Sequence, residues 1–222
     1  MCARDTPDLV LMDIVMPGTD GVKATREIMA HSPCAILLVT ATVEARAAKV
    51  FEALGAGALD AVKTPILGAD GAAGGAAALL AKINTLRRLI DTDTRRVHKP
   101  EPPEPPPAPT RGANLVVIGS SAGGPAALAT LLGELPKDFP APIVLVQHVD
   151  EQFTPLMAKW LSDQSAIPVR VACEGDRPEV GTALIAGTND HLIFLNPYTL
   201  GYTPEPRAYS YRPSVDVFST AW

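Results

Sequence analysis

The sequence predicts an α/β protein built from two doubly wound, parallel-sheet units joined by a linker. Short apolar runs alternate with helical patterns in both halves. A proline-rich stretch, KPEPPEPPPAPT from Lys99 to Thr110, separates them; each proline fixes φ and lacks an N–H, so an extended polyproline spacer is expected there. Apolar residues make up 47% and aromatics only 5%, with Ala, Val and Leu dominant, which suits parallel strands covered by helices better than an antiparallel sandwich. A length of 222 residues accommodates one large domain or two small ones at about 100–200 residues each. The expected division is residues 1–92, a linker over 93–112, and residues 113–222.

In the first half, Asp8 to Ile14 (DLVLMDI) reads as a buried strand, Val22 to Ala30 as a helix, and Ala35 to Thr40 (AILLVT) as a second strand. Val43 to Gly55 reads as a helix ended by its glycine, Leu59 to Val62 as a short third strand, and Ala76 to Leu89 as a helix. Arg87 and Arg88 sit near the end of that helix, where positive charge is favoured. Short loops and right-handed crossovers then give a parallel sheet. The second half repeats this rhythm. Asn114 to Ile118 is a strand, and the turn GSSAGG leads into a helix from Pro125 to Leu135, with proline in the tolerant first turn. Pro142 to Gln147 is the next strand and Phe153 to Gln164 a helix; Val169 to Ala172, Thr182 to Ala186 and His191 to Leu195 are further short strands.

Composition excludes several classes. A net charge of −5 gives no electrostatic basis for nucleic-acid binding, and GSSAGGP stands where a DNA-reading regulator needs a recognition helix. Cys2, Cys34 and Cys173 are odd in number and lack CxxC spacing, which predicts reduced thiols and no zinc site. The start, MCARDTPD, has no signal-peptide pattern, and no apolar run approaches the ~20 residues that span a bilayer, so a cytoplasmic protein without membrane insertion is expected.

Two positions carry chemistry. Asp13 lies near the carboxyl end of an apolar strand, where open parallel sheets place their functional crevice. Thr40 and Lys63 end the next two strands, so a carboxylate, a hydroxyl and an ammonium group can together hold a phosphoryl group. The alternative is that Asp13 merely caps the strand-to-loop turn. In the second half, Gly119-Ser120-Ser121-Ala122-Gly123 fits G-x-S-x-G between a strand and a helix, the context a nucleophile elbow requires. A dinucleotide-binding turn is the rival, but Ser121 stands where that motif needs its middle glycine. A serine nucleophile needs a base, and His148, at the end of IVLVQH, projects into the same crevice. His191 begins a strand after a polar turn and reads as structural, while His31 and His98 read as solvated.

The strings PDLVLMDIVMPGTDG, LLVTA and GALDAVKTP resemble the phosphoacceptor receiver domain of two-component response regulators, a flavodoxin-like fold. That resemblance implies that Asp13 is the phosphorylated aspartate, Thr40 the switch hydroxyl and Lys63 the phosphoryl-contacting lysine. Thr64 intervenes before Pro65, a departure from the family's Lys-Pro. VVIGSSAGGPAAL, VLVQHVDEQFTPLMAKWL, EGDRPEVGTALIAGTNDHLIF and YRPSVDVF are similar to the catalytic domain of chemotaxis protein-glutamate methylesterases. The resemblance implies a phosphorylation-gated serine esterase with Ser121 and His148 as its nucleophile and base. It would hydrolyse γ-glutamyl methyl esters, and deamidate glutamines, on methyl-accepting chemoreceptors, and would be phosphorylated by the pathway's histidine kinase. The esterase would use no cofactor, whereas receiver phosphorylation uses Mg²⁺. The family has Ala and Thr around its nucleophile where this chain has Ser120 and Ala122. Its Mg²⁺-binding acidic pair precedes Asp8, and its triad aspartate follows RPSVDV in a segment not reached by Trp222. The expectation is therefore a chain incomplete at both ends, impaired in phosphorylation and hydrolysis. Asp150, Asp176, Asp190 and Asp216 match no family acid. The alternative to an enzyme is an inactive regulatory or binding fragment of a response regulator.

Overall fold

The computed structural model of the chain describes residues 5–41, 47–65, 72–93, 114–207, 209 and 212–220. The expected linker falls almost wholly outside these residues, as do Cys2 and His98. In the first half, β1 (Leu9–Asp13) is followed by a short hairpin, β2 (Val15–Met16) and β3 (Thr19–Asp20), then α1 (Gly21–His31) and β4 (Ala35–Thr40). Next come α2 (Ala47–Gly55), β5 (Asp60–Lys63) and α3 (Ala72–Asp93). Strands β1, β4 and β5 form a parallel sheet in that order, as expected. Asp20 starts α1 by accepting the Val22 N–H at 2.9 Å, an N-cap that satisfies one of the helix's orphan amides.

Alternation along β4 explains the layering. Ile36 and Leu38 pack with Val22, Val50 and Phe51 on the α1–α2 side, while Leu37 packs with Leu86 of α3 on the other. Helix α3 is longer than expected at both ends, running through Gly74-Gly75 despite their weak helix propensity, and packs through Leu79, Ile83 and Leu86.

The second half contains β6 (Val116–Ser120), α4 (Gly124–Glu134), β7 (Ile143–Gln147), α5 (Thr154–Ser162), β8 (Val169–Val171) and β9 (Ala183–Ile185). It closes with β10 (His191–Asn196), β11 (Thr199–Thr203) and α6 (Val215–Thr220). The parallel sheet has the order β6-β7-β9-β8. Strand β7 (IVLVQ) is buried throughout, as a central parallel strand covered on both faces must be. Ile143 and Leu145 face α4 and α5, and Val144 and Val146 face the opposite layer.

One expectation is corrected here. The strand read at Asn114 to Ile118 runs from Val116 to Ser120, because its register pairs Val116 with Ile143 and Ser120 with Gln147. The strand expected at His191 to Leu195 is present as β10; it pairs antiparallel with β11, and that hairpin with α6 supplies the second covering layer through Leu192, Leu200 and Phe218. The halves also share one apolar core: Val50, Phe51 and Leu54 of α2 are continuous with Leu128, Leu132 and Met157 of α4 and α5. The Phe51 and Trp160 rings lie 5.3 Å apart.

Candidate active site

The serine turn is shaped by its neighbours. Strand β6 ends at Ser120, whose carbonyl accepts the His148 N–H at 3.1 Å, so the pairing of β6 and β7 carries on to the histidine. Ser121 follows as an exposed residue, its carbonyl accepting the Gly124 N–H at 2.9 Å. Gly123 has φ 75°, a left-handed conformation that glycine adopts without penalty, and α4 starts directly after it. At Gly119 a Cβ would stand 2.4 Å from Val215 Cγ2, so only glycine lets α6 approach the turn.

Ser121 and His148 line one cleft of about 400 Å³, together with Gly119, Ser120 and residues Pro213, Ser214, Val215 and Asp216. His148 is half-buried and its Nδ1 is shielded from solvent. Burial is the main cause that pushes its pKa down from 6.5 to about 4; Asp60 and Asp150 oppose the shift and Lys82 adds to it. The imidazole is therefore neutral at pH 7, the form that can accept a proton from a serine hydroxyl. Lys82 Nζ lies 2.7 Å from Asp60 Oδ2 and 3.6 Å from Asp150 Oδ2, placing an ion cluster beside the histidine strand end.

Of the four aspartates with no family counterpart, Asp216 lines the cleft. Asp150 joins the Lys82 cluster, and Asp190 lies 3.9 Å from Arg212. Asp176 pairs with Arg170, which holds its carboxyl below the usual range. His191 is fully buried; its Nδ1 accepts the Ser214 N–H at 3.1 Å, so its Nε2–H is the donor facing Pro206 O at 3.3 Å. That places His191 in a structural role, steadying the cleft wall. His31 is exposed yet pairs with Glu27 at 3.5 Å.

In the first half, Asp13, Thr40 and Lys63 end β1, β4 and β5, and the register pairs Asp13 with Val39 and Thr40 with Lys63. All three share the carboxyl end of one sheet, as expected. Asp13 and Lys63 are exposed and Thr40 is buried. Asp13 Oδ1 accepts the Val15 N–H at 3.1 Å, the turn-capping contact that was its alternative reading. Magnesium requires several oxygen ligands, commonly with one or two carboxylates. Among the described residues no cluster of three metal-ligating side chains occurs, and the nearby Asp20 carboxylate is engaged by Lys49 and the Val22 amide. These residues do not fit a magnesium site.

A larger crevice, about 690 Å³, lies between the halves against Arg26, Glu52, Ala126, Glu134 and Trp160, and contains none of the candidate residues. The C-terminal end of α2 abuts the serine turn, with the Gly123 N–H donating to Leu54 O at 3.1 Å. Residues given no site role in the sequence reading are Gln147, which bonds across the elbow, and Pro213, Ser214 and Val215 of the cleft wall. The string YRPSVDVF marked the wall without assigning it a role.

Residues 116–221 match the family described as CheB methylesterase, and residues 1–70 match the response regulator receiver domain. A protein of Burkholderia orbicola named protein-glutamate methylesterase/protein-glutamine glutaminase 2 is 55% identical over 222 residues, covering 98% of this chain and 64% of that protein. A Pseudomonas aeruginosa protein named protein-glutamate methylesterase/protein-glutamine glutaminase 3 is 54% identical over 218 residues, with 98% and 64% covered. The chain thus spans less than two thirds of the length of these curated relatives. Among solved structures, the Thermotoga maritima CheB methylesterase catalytic domain has a TM-score of 0.47 and 35% identity, covering 50% of this chain and 60% of that one. Among the described residues, no helix is long and apolar enough to cross a membrane.

Proposed function

We propose that the chain, whose residues 116–221 match the CheB methylesterase family and whose residues 1–70 match the response regulator receiver domain, acts as a phosphorylation-regulated protein-glutamate methylesterase. Its substrates are γ-glutamyl methyl esters on methyl-accepting chemoreceptors, with glutamine deamidation as a second activity of the same site. The division into a receiver at 1–92, a linker at 93–112 and an esterase domain at 113–222 belongs to this proposal, as does a cytoplasmic location.

The observation that carries the reading is the shared cleft in which Ser121 is exposed at an elbow and His148 is held neutral. Ser121 Oγ attacks the ester carbonyl while His148 takes its proton and returns it to the departing methanol. Water then repeats the cycle on the acyl-serine. The positive end of α4 favours the developing oxyanion, to which the N–H of Ala122 can donate.

Regulation would enter through Asp13, phosphorylated by the pathway's histidine kinase, with Thr40 and Lys63 answering the phosphoryl group. The contact of α2 with the serine turn supports a receiver that can influence the esterase, since Leu54 O occupies an amide two residues past Ser121. The test is methanol release from methylated receptor by the full-length protein. Ser121→Ala should abolish it, and Asp13→Asn should remove the response to a small phosphodonor. A protein that binds receptor or kinase but releases no methanol would favour the regulatory reading instead.

A further inference from the structure

We infer that Gln147 is a positioning residue for ester hydrolysis, its side-chain amide fixing the Ser121 elbow to the His148 strand end. This rests on the esterase reading above. Gln147 closes a strand that is otherwise Ile-Val-Leu-Val and is itself only 2% exposed. A buried amide is unfavourable unless its hydrogen bonds are met. Here they are met by the residues around the site. Oε1 accepts the Ser120 hydroxyl at 2.6 Å, and Nε2 donates to Ser121 O at 3.1 Å and to His148 O at 2.9 Å.

This pattern permits one amide orientation. Turning the amide over would set its oxygen against two carbonyls, which cannot donate, while the Ser120 hydroxyl could serve either orientation. The two carbonyls belong to the proposed nucleophile and base, so one side chain spans their backbones. The backbone bond from His148 N–H to Ser120 O joins the same strand ends by a second route. Space for the amide comes from Gly124, where a Cβ would lie 2.1 Å from Gln147 Oε1. Because Gln147 acts through the positions of other residues, its contribution should fall on kcat. A displacement of about 1 Å in reacting groups can cost on the order of 10²-fold.

The test uses the full-length protein with Gln147→Met, Ser120→Ala and the double variant, measuring methyl-ester hydrolysis at temperatures below each variant's unfolding transition. Gln147→Met keeps the volume and removes all three bonds; kcat should fall about 10²-fold while KM stays within about twofold. Ser120→Ala removes one bond and should lower kcat about fivefold. The double variant should match Gln147→Met, because both changes act on one network. A folded Gln147→Met protein with parental kcat, or with its loss in KM alone, would overturn the role. If Gln147→Met does not fold, parental kcat in Ser120→Ala overturns it. A parent without hydrolysis, or one as active as its Ser121→Ala variant, overturns the esterase reading and this role with it; a Ser121-dependent parent beside an unaffected Gln147→Met protein overturns this role alone.

Discussion

Burial resists the charged form of His148, lowering its pKa to about 4 from 6.5, so the proposed base is neutral at pH 7. The acid limb of kcat/KM should therefore fall well below the ordinary histidine range, with activity nearly intact at pH 6 and lost toward pH 4. A pH–rate profile with its midpoint near 6.5 would contradict this. Stability carries the same signature. Between about pH 6.5 and 4 the unfolded chain holds a proton that the folded state does not, so this contribution is full above 6.5 and lost as pH falls to about 4. The difference amounts to about 3 kcal/mol, readable in denaturant midpoints of the parent but reduced in His148→Gln. Ser121 and His148 should also fail as a unit: each alanine variant should lose on the order of 10³-fold or more in kcat, and the double variant little beyond that. Additive losses in the three measured rates would show independent roles. That these two residues would meet in one cleft was legible in the sequence, because G-x-S-x-G and a histidine at a strand end are local patterns. Gln147 was not, since its meaning lies in bonds to Ser120, at the end of the neighbouring strand, and to Ser121 in the turn after it.

Elements were legible where their periodicity was their own and obscure where a partner decided them. Strands β4 and β7 are apolar runs bounded by turns, so pattern alone placed them to within a residue. The β10–β11 hairpin escaped because β11 contains Gly201 and its apolar face becomes apparent only against Phe218 of α6. Helix α6 is a single short stretch whose N-terminal Val215 serves to close the cleft over Gly119. Crowding at the elbow gives a test at this scale. In Gly124→Ala, the new methyl would stand 2.1 Å from Gln147 Oε1 and 2.9 Å from Ser120 Cβ. Overpacking of this kind costs about 1–3 kcal/mol, so the variant should lose stability and also displace the amide beneath the elbow. Thermal unfolding and hydrolysis rates should both decline; an unchanged Tm would mean that α4 can shift away from β7 without consequence.

The two halves read as separate units in sequence, yet α2 packs as part of both. Its Phe51 is fully buried, with the Trp160 ring at 5.3 Å, and Gly55 sits so near α4 that a Cβ would reach 2.6 Å from Ala126 Cβ. Lys82 of α3 adds an ionic tie, joining Asp60, which is 3% exposed, to Asp150 beyond His148. No linear pattern announces such pairings, because each joins residues on opposite sides of the proline-rich segment. In contrast, β1 lies at the edge of the described three-stranded sheet with Leu11 half exposed, an arrangement prone to association when unsupported. Residues 1–92 expressed alone should thus aggregate or unfold without cooperativity, whereas the whole chain should unfold in one transition. With Trp222→Phe as background, Trp160 reports on the second half while far-UV circular dichroism reports on both. The two denaturation curves should coincide. Phe51→Ala, a change in the first half, should cost about 3–5 kcal/mol and move both curves together, because the cavity opens within the common core. Separate midpoints, or a Trp160 signal indifferent to Phe51→Ala, would show that the halves are only adjacent and that α2 cannot transmit a change at Asp13 to the serine turn.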